Sequence, residues 1–345
     1  MKKVLAIESS CDETSASVVT QDNSGVAVLS NIIATSLDLH ATTGGIIPEN
    51  AARMQVAYIM PVIRKALLQS KGIKADSSWE DAKKILTEDI DAIAVTYGPG
   101  LIGSLLVGVE TAKTLSYVFK KELIPVNHLL AHLYANFIDR NSIEFPFVGL
   151  IVSGGHTDLL LFNSHTDYQW LGGTRDDAAG EAFDKTGRLM DLSYPAGPEI
   201  ERRASLVTTP TIKFKSPIMH ESNFDFSFSG LKTEVQRFVQ GREVIDTNMK
   251  NQICYATQKA ILDVLIKKTL DAANQYNAKM ILVGGGVSAN QTFRNSLSSS
   301  ASLPVLFPER TYSTDNAAMI GAYALVNPQV LSWNKTNANP ELYFA

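Results

Sequence analysis

The chain has 345 residues, 45% of them hydrophobic and 19% charged, with a net charge of −4 and a mean hydropathy of +0.01. This length is suited to about two domains, and this composition excludes an intrinsically disordered chain. The only cysteines are Cys11 and Cys254, which excludes a disulfide framework and a thiolate-rich zinc cluster and indicates a reducing compartment.

The first residues do not have the pattern of an export signal. Residues 4–7 are apolar, but the chain turns polar over residues 8–13, so the apolar stretch is too short for a secretory segment. No apolar run approaches the ~18 residues of a membrane span. We therefore expect a cytoplasmic enzyme with no membrane partner. The pI of about 5.9 argues against a surface that binds nucleic acid throughout, and leaves room for one local basic patch or a basic partner.

Short aliphatic runs alternate with helical periodicities along the chain, which predicts an α/β fold. Strands are predicted at residues 4–8, 90–96, 147–153 and 279–284, and helices at residues 51–69, 103–120, 127–139 and 248–276.

A weak internal repeat relates the two halves of the chain. Residues 4–19 form a predicted strand, a polar turn and a second strand, and residues 147–162 have the same plan. Hairpin tips rich in hydroxyls, glycines or acids can hold phosphates, because backbone N–H groups converge there. Two facing tips would make a duplicated nucleotide-binding architecture like that of actin, hexokinase and the Hsp70 ATPase, whereas the simpler interpretation is two unrelated hairpins.

A glycine-rich turn favours the duplicated architecture. Residues 280–290 read as a strand that runs into Gly284, Gly285 and Gly286 and then into a helix starting near Ser288 or Asn290. The glycines permit close approach of a ligand, and the helix N-terminus is expected to offer free N–H groups to an anion. Simple strand-to-helix packing is the alternative.

Two histidines four residues apart are the strongest metal-binding signal. His128 and His132 lie in a helix-forming stretch, so both imidazoles share one face, as in sites that hold one metal ion. Two ordinary polar-face histidines are the alternative. Asp315, just before a small-residue helix, is a candidate third ligand or simply a helix cap. The first histidine is not followed by Glu, so the zinc-protease motif is absent.

Two further stretches carry polar or charged residues without a clear chemical role. Residues 173–188 predict a helix with acids in its first turn, and residues 224–233 alternate aromatic and polar residues like an exposed strand before turning helical. Such aromatics usually form one buried face. Together with nearby cations they could instead contact a nucleic acid, the cations being Lys213, Lys215, Lys232 and Arg237.

Taken together, these segments resemble the tRNA N6-adenosine threonylcarbamoyltransferase family, the TsaD proteins of bacteria and the Kae and Qri proteins elsewhere, formerly called sialoglycoproteases. The matching segments occur in the family's order over nearly the whole chain. They are IESSCDETSAS at Ile7, GGIIPENAAR at Gly44, TYGPGLIGSLLVG at Thr96, NHLLAH at Asn127, VSGGHT at Val152, DDAAGEAFDKTGR at Asp176, YPAGP at Tyr194, FSFSGLKT at Phe226, GGGVSAN at Gly284 and TDNAAMIG at Thr314.

The resemblance implies an ASKHA (actin-like ATPase) fold of two duplicated lobes with a ligand cleft between them. We expect an N-terminal lobe of residues 1–138 plus about 318–345 and a C-terminal lobe of residues 139–317 with the adenylate-binding glycine-rich turn. It also implies transfer of the threonylcarbamoyl group from threonylcarbamoyl-AMP to N6 of adenosine 37 in tRNAs that read ANN codons, with release of AMP.

The resemblance further implies a set of site residues and partners. One divalent metal ion per chain, with Fe²⁺ favoured over Zn²⁺, would be held by His128, His132 and Asp315. Asp12 and Glu13 are further candidates near the site, without assigned roles. Expected partners are tRNA, a smaller TsaB-like paralogue and a TsaE-like P-loop ATPase. The residues expected to bind the substrate are Ile151, Val152, Ser153, Gly154, Gly155, Asp184, Gly197, Glu201 and Asn290.

Three positions depart from the family pattern. Ala196 stands in Tyr-Pro-Ala-Gly-Pro where the family has glycine, and Ala52 replaces the serine of Pro-Glu-x-Ala-Ser. Ile151 stands where archaeal and eukaryotic relatives have a metal-binding tyrosine, which indicates a bacterial-type member with three protein ligands. The alternative functions are an ATP-dependent small-molecule kinase or ATPase on the same fold, and a non-catalytic scaffold in a larger assembly.

Overall fold

The structure is a computed structural model that describes residues 2–35, 47–74, 76–140, 143–219, 221–242 and 245–344. The predicted motif that begins at Gly44 lies partly outside the described residues. Contacts divide the chain into two compact units. Unit 1 comprises Met1–Ile143 and Asp315–Ala345, and unit 2 comprises Glu144–Thr314. The sequence predicts lobe boundaries after residue 138 and near residue 318, a few residues from these positions.

Unit 1 is built on one five-stranded sheet in the order β3-β2-β1-β4-β5. β1 pairs antiparallel with β2 and parallel with β4, and β4 pairs parallel with β5. The strands are β1 (Lys2–Glu8), β2 (Glu13–Asp22), β3 (Gly25–Thr35), β4 (Ala92–Gly98) and β5 (Glu122–Asn127). The helices are α1 (Pro48–Gln69), α2 (Trp79–Glu88), α3 (Ile102–Phe119), α4 (His128–Tyr134) and α10 (Ala317–Val326).

Unit 2 is also built on one five-stranded sheet, in the order β10-β9-β6-β7-β8. Here β6 pairs antiparallel with β7 and parallel with β9, and β9 pairs parallel with β10. The strands are β6 (Phe147–Val152), β7 (Thr157–Phe162), β8 (Tyr168–Gly173), β9 (Met280–Gly284) and β10 (Val305–Leu306). The helices are α5 (Ala179–Arg188), α6 (Gly197–Ala204), α7 (Ser229–Gln240), α8 (Thr247–Gln275) and α9 (Gln291–Ser300).

The two sheets have the same topology. In each one, a three-stranded antiparallel meander is followed by two parallel strands added beside its first strand. Because parallel neighbours need a crossover connection, helical segments separate β1 from β4 and β6 from β9. The repeated hairpins predicted at residues 4–19 and 147–162 therefore open two copies of one architecture.

Each unit buries its own apolar core against its sheet. In unit 1, α10 is buried along nearly its whole length and packs on β1, β2 and α4. Gly321 makes this approach close, since a Cβ there would lie 2.5 Å from Cγ2 of Val19. The small residues of α10 thus allow this helix to pack closely on the sheet, and this packing positions Asp315, which lies just before the helix.

Two predicted elements differ from the structure. The helix predicted at residues 127–139 ends at Tyr134 and continues as a 3-10 turn, Ala135–Phe137. Residues 224–228 form no strand: Phe226 makes one isolated bridge to Thr174, and its side chain is fully buried. The alternation of aromatic and polar residues therefore reflects burial of an irregular loop in the core of unit 2.

Candidate functional site

The three predicted metal ligands meet in unit 1. His128 and His132 lie on α4, which begins where the side chain of Asn127 accepts hydrogen bonds from the N–H groups of Leu129 and Leu130. Asp315 immediately precedes Asn316, the residue whose side chain caps α10. Because α10 packs on α4, the carboxylate of Asp315 is brought to the two imidazoles. Asp315 is therefore not the cap of that helix.

The ligand atoms of this triad are spaced as one metal ion requires. Oδ1 of Asp315 lies 3.6 Å from Nε2 of His128 and 3.2 Å from Nε2 of His132. One ligand atom from each of the three residues lies within 4.8 Å of the other two. Metal–nitrogen and metal–oxygen bonds of about 2.0–2.2 Å span such separations, and two histidines with one carboxylate leave coordination positions open.

The burial of His132 is consistent with a role in binding a cation. Its side chain is 1% exposed, and neither ring nitrogen makes a hydrogen bond within the described part of the chain. The 3.2 Å approach of Asp315 to Nε2 is within ion-pair range but lacks hydrogen-bond geometry. Since a buried polar atom without a partner is costly, the donor set fits a cation that Nε2 would bind.

A second carboxylate orients His128 from the other side. Oε2 of Glu8 lies 3.0 Å from Nδ1 of His128, and Oγ of Ser10 lies 3.2 Å from the same nitrogen. Glu8 is 1% exposed and also accepts hydrogen bonds from Oγ1 of Thr96 and from the N–H of Ser10. A carboxylate on one imidazole nitrogen leaves the other nitrogen free to face a metal, which is a common support for a ligating histidine.

The support that Glu8 gives to His128 could not be predicted from the sequence. The signal available was a carboxylate at the end of an otherwise apolar strand. Its partner His128 is 120 residues away in the chain, so no local pattern links the two.

The carboxylates around His128 favour positive charge there. Burial would lower the pKa of His128, but the charges of Glu8 and Asp315 raise it to about 9. Burial would likewise raise the pKa of Glu8, and the charge and hydrogen bond of His128 outweigh it and hold that pKa below its ordinary value. The site is therefore electrostatically suited to a cation.

The tip between β1 and β2 adds further acids beside the triad. Burial raises the pKa of Glu13 well above its ordinary value, and the nearby charges of Asp315 and Asp12 raise it further. Burial, followed by the charges of Asp12 and Asp315, also raises the pKa of the Cys11 thiol. Cys11 is thus a neutral thiol in this setting and is not suited to act as a thiolate nucleophile.

A buried glutamine of α1 holds this tip in place. The Nε2 group of Gln55 donates to the carbonyl oxygens of Cys11 at 3.1 Å and Glu13 at 3.0 Å. From α3, Oγ of Ser104 donates to the same Cys11 carbonyl at 2.9 Å. Sequence reasoning missed Gln55, because its apolar-face position on a helix does not reveal what it touches.

The residues expected to bind the adenylate all lie in unit 2. Ile151, Val152 and Ser153 end β6 and enter the β6–β7 turn, where Gly154 and Gly155 are exposed, and a Cβ on either would meet open space. The glycine-rich turn after β9 lies beside this tip: Gly285 has φ +92, and a Cβ there would lie 2.4 Å from the carbonyl oxygen of Val152. Backbone groups of the two turns therefore lie next to each other.

Asp184 fixes the turn that carries Ala196. Its Oδ1 accepts a hydrogen bond of 2.7 Å from the N–H of Ala196, and burial raises its pKa. Ala196 is 2% exposed and fits because its neighbour is Gly187, where a Cβ would lie only 2.2 Å from that of Ala196. A Cβ at Gly197 would meet nothing within 4 Å, so the turn keeps an open position next to this departure from the family pattern.

The N-terminus of α9 differs from its prediction. Oε1 of Glu201 accepts hydrogen bonds from the N–H groups of Gln291 at 2.6 Å and Thr292 at 3.1 Å, and Oδ1 of Asn290 accepts from that of Phe293. The expected free N–H groups are therefore occupied by side chains, because two polar residues compete successfully for this helix end. Ligand roles for Glu201 and Asn290 stay predictions.

The described residues include no helix that is long and apolar enough to cross a membrane.

The chain is similar to known proteins over most of its length. The family model described as TsaD, tRNA N6-adenosine threonylcarbamoyltransferase, matches residues 27–322. A tRNA N6-adenosine threonylcarbamoyltransferase of Moorella thermoacetica is 46% identical over 325 residues, covering 93% of this chain and 90% of the relative. One of Clostridium perfringens strain SM101 is 42% identical over 347 residues, covering 99% and 98%.

Solved structures of distant proteins share the fold alone. HypF of T. kodakarensis superposes with a TM-score of 0.62 at 12% identity, covering 94% of this chain and 48% of HypF. Component A of (R)-2-hydroxyglutaryl-CoA dehydratase from Acidaminococcus fermentans gives a TM-score of 0.51 at 12% identity, covering 94% and 97%. These likenesses agree with the predicted ASKHA fold class and carry no information on substrate.

Proposed function

Since the chain belongs to the tRNA N6-adenosine threonylcarbamoyltransferase family, we propose that it transfers a threonylcarbamoyl group to N6 of adenosine 37 in tRNAs that read ANN codons. The donor is threonylcarbamoyl-AMP, and AMP is the leaving group. The observation that carries this function is the family match over residues 27–322, in a chain that retains the His128, His132 and Asp315 cluster.

His128, His132 and Asp315 hold one divalent cation, with Fe²⁺ favoured over Zn²⁺. Support comes from the spacing of the three ligand atoms and from the unsatisfied nitrogens of buried His132. When bound, such an ion supplies a Lewis acid that polarises a carbonyl and takes up developing negative charge. Glu8 keeps Nδ1 of His128 engaged, so that Nε2 faces Asp315.

The substrate-binding residues of unit 2 hold the adenylate of the donor. Exposed Gly154 and Gly155, without side chains, let phosphate oxygens approach backbone N–H groups. The carboxylates of Asp184 and Glu201 and the amide of Asn290 supply hydrogen-bonding groups for ligand hydroxyl or amine groups. A smaller paralogue and a P-loop ATPase are the proposed protein partners, which co-purification with the tagged chain would test.

Phosphoryl transfer from ATP to a small acceptor, the other activity considered for this fold, is not favoured by the relatives. A kinase on this architecture has no need of a buried pair of histidines facing a carboxylate. Turnover of ATP by the wild type and by His132→Ala separates the two: a kinase that uses Mg²⁺ would phosphorylate its acceptor in both proteins.

The direct test of the function is a transfer assay. Purified chain, alone and with the partner proteins, is incubated with threonylcarbamoyl-AMP and an ANN-decoding tRNA, and the nucleosides are analysed by mass. We expect the threonylcarbamoyl mass increment on adenosine and equimolar AMP. A tRNA in which position 37 is not adenosine is the control and should stay unmodified. Modification of that control, or ATP turnover onto another acceptor without tRNA modification, would contradict the proposal.

A further inference from the structure

Five cations of unit 2 lie around one extended segment and the helix α7. We call them the basic surface: Lys213, Lys215, Lys232, Arg237 and Arg242. All are exposed except Lys232, which is half-buried. None of the five belongs to the proposed metal centre or to the residues expected to bind the adenylate.

Contacts between side chains and with the backbone hold the segment and the helix together. Phe214 is 4% exposed and meets Phe238 edge-on with ring centroids 5.5 Å apart, so Lys213 and Lys215 on either side of it face solvent. The N–H of Lys215 donates to Oε2 of Glu234 at 3.1 Å, which places this lysine beside α7. Lys213 and Lys215 therefore lie beside the face of α7 that carries Glu234 and Phe238.

These cations are not neutralised locally. Within the described part of the chain, the lysines of the basic surface and Arg237 make no ion pair within 4 Å. The carboxylates beside them are Glu234, which binds the N–H of Lys215, and Asp246, which caps α8 through the N–H of Met249. Each of these two carboxylates accepts a backbone N–H, and neither forms an ion pair with a described cation of the basic surface.

Other cations of unit 2 behave differently. Many of them form ion pairs with acids of the same unit. These pairs are Arg175 with Glu221 and Asp225, Lys185 with Asp177 and Glu181, Arg202 and Arg203 with Glu199, Lys259 with Asp263, Lys267 with Asp271, and Lys279 with Glu144. The lysines of the basic surface and Arg237 therefore differ from these paired cations, in a chain whose net charge is −4.

A shallow cavity of about 420 Å³ opens next to these cations, and its lining includes Lys213, Phe238 and Arg242. The guanidinium carbon of Arg242 lies 3.5 Å from the centroid of the Phe238 ring. A planar cation on an aromatic ring beside a positively charged rim has the chemistry that binds an unstacked nucleobase next to its phosphates.

We propose that the basic surface binds the sugar-phosphate backbone of the tRNA substrate, away from the reacting adenosine, with a base at the Phe238–Arg242 platform. This proposal rests on the proposed function, which makes RNA the substrate. Charge complementarity selects the occupant, because uncompensated lysines and arginines on an otherwise acidic protein suit a polyanion.

The test is a charge-neutralised variant with a matched control. The variant is Lys213→Gln, Lys215→Gln and Arg237→Gln, and the control is Lys259→Gln, Lys267→Gln and Lys279→Gln, which removes the same charge from paired lysines of the same unit. Binding of fluorescent tRNA by the full chain is measured from 50 to about 300 mM salt, in the protein mixture that supports transfer. Steady-state KM values for tRNA and for threonylcarbamoyl-AMP are measured in parallel.

We expect the variant to raise Kd and KM for tRNA at least about tenfold and to reduce the salt slope of log K by about 2 to 3, with kcat and the donor KM unchanged. The control should resemble the wild type. Wild-type tRNA affinity and slope in the variant, or equal losses in the control, would overturn the proposal. Loss of partner-protein binding with unchanged tRNA binding would assign the surface to a protein and overturn it too. If the wild type binds tRNA through this surface but modifies no adenosine, the proposed function fails and the surface stands.

Discussion

Glu8 is a positioning residue for His128. It is buried, lies 3.0 Å from Nδ1 of the imidazole and is itself held by Ser10 and Thr96. We expect Glu8→Gln to weaken metal affinity about 10- to 100-fold, because the carboxylate that orients the ring is lost. Competition with a chelator measures this affinity. Glu110→Gln, which removes an exposed carboxylate paired with Lys113, is the control and should keep wild-type affinity. Equal affinity in Glu8→Gln would show that α4 alone orients His128.

The buried carboxyl group of Asp158 is expected to make the folded protein less stable as the pH rises. Its side chain is 6% exposed and accepts one hydrogen bond, from Nε1 of Trp170 at 3.0 Å, while a Cβ on Gly173 would lie 2.4 Å from its Oδ1. Burial raises its pKa from 3.8 to about 6. Because the raised pKa favours the protonated acid in the folded state, Asp158 contributes fully to folding stability below about pH 4. This contribution, about 3 kcal/mol by linkage, is lost as the pH rises towards 6.

We therefore expect Asp158→Asn, which keeps an oxygen for Trp170, to be more stable than the wild type at neutral pH. The advantage should grow between about pH 4 and pH 6, stay constant above, and reach about 1–3 kcal/mol. Urea unfolding of both proteins across this range measures it. A variant that is no more stable than the wild type at pH 7.5 would show that the buried carboxylate is not the source of the cost.

The three residues proposed to hold a metal ion could be selected from the sequence, but their supporting residues could not. His128 and His132 are visible through local helical spacing, and the resemblance supplies Asp315. Glu8 and Gln55 act over 120 and 42 residues respectively, so only the folded sheet and helices reveal their contacts. The capping role of Glu201 was missed for the same reason, since its partner Gln291 is 90 residues away.

At the scale of elements, Asp176 ties the start of α7 to the loop before α5. Its carboxylate accepts hydrogen bonds from the N–H groups of Phe228 and Ser229 and from the hydroxyls of Ser227 and Ser229. These contacts also hold the pKa of Asp176 below its ordinary value despite partial burial. A residue about fifty positions away thus provides the cap that Phe228, the residue before α7, cannot provide.

Asp176→Ala should cost about 2 kcal/mol of unfolding free energy, because a helix cap and two hydroxyl bonds are lost together. Denaturant unfolding at pH 7 measures this change. Asp177→Ala is the matched control: it removes the neighbouring carboxylate from a partly exposed pair with Lys185 and should cost less than about 1 kcal/mol. Similar losses in both variants would contradict a specific capping role.

Helices and strands with strong periodicity could be predicted from the sequence to within a few residues. The helix predicted at 248–276 is observed as Thr247–Gln275, and the one at 51–69 begins slightly earlier, with Pro48 in its first turn. The strand suggested by the alternation at Phe226 and Phe228 was wrong, because burial of a loop in the core produces the same alternation of aromatic and polar residues as a strand. The helix predicted at 173–188 begins only at Ala179, since Asp176 is used as the cap of another helix.

At the scale of the whole molecule, the two units differ in how the chain builds them. Unit 2 is one continuous stretch, whereas unit 1 needs the C-terminal residues that include α10. α10 covers β1 and β2, and Asp315 precedes it. A fragment of residues 1–143 therefore lacks part of its core and Asp315, one of the three residues proposed to hold the metal ion.

We expect residues 144–314 expressed alone to fold cooperatively and residues 1–143 alone to stay unfolded or aggregate, until residues 315–345 are supplied in trans or by fusion. Circular dichroism melting and chelator competition measure folding and metal binding. A cooperative melt and full-chain metal affinity in the fragment 1–143 would contradict this division of the core.

The repeated hairpin pattern in the sequence indicates a duplicated architecture. The structure contains two sheets of the same topology, each opened by one of these hairpins. The parallel strands β5 and β10 and the return of the C-terminal helix to unit 1 were not visible from periodicity, because they depend on pairing between distant segments. The net charge of −4 was likewise uninformative about local charge, which depends on which cations find acidic partners in the fold.

We propose that His128, His132 and Asp315 hold the metal ion on which threonylcarbamoyl transfer depends. The most direct measurement determines metal content and the transfer rate to an ANN-decoding tRNA in the same preparations of wild type, His132→Ala and His165→Ala. His165, a histidine that contacts Phe145 in unit 2, is the control. We predict about one divalent ion per chain and equal transfer in the wild type and His165→Ala, and neither metal nor transfer in a folded His132→Ala. Wild-type transfer by His132→Ala without bound metal would contradict the claim.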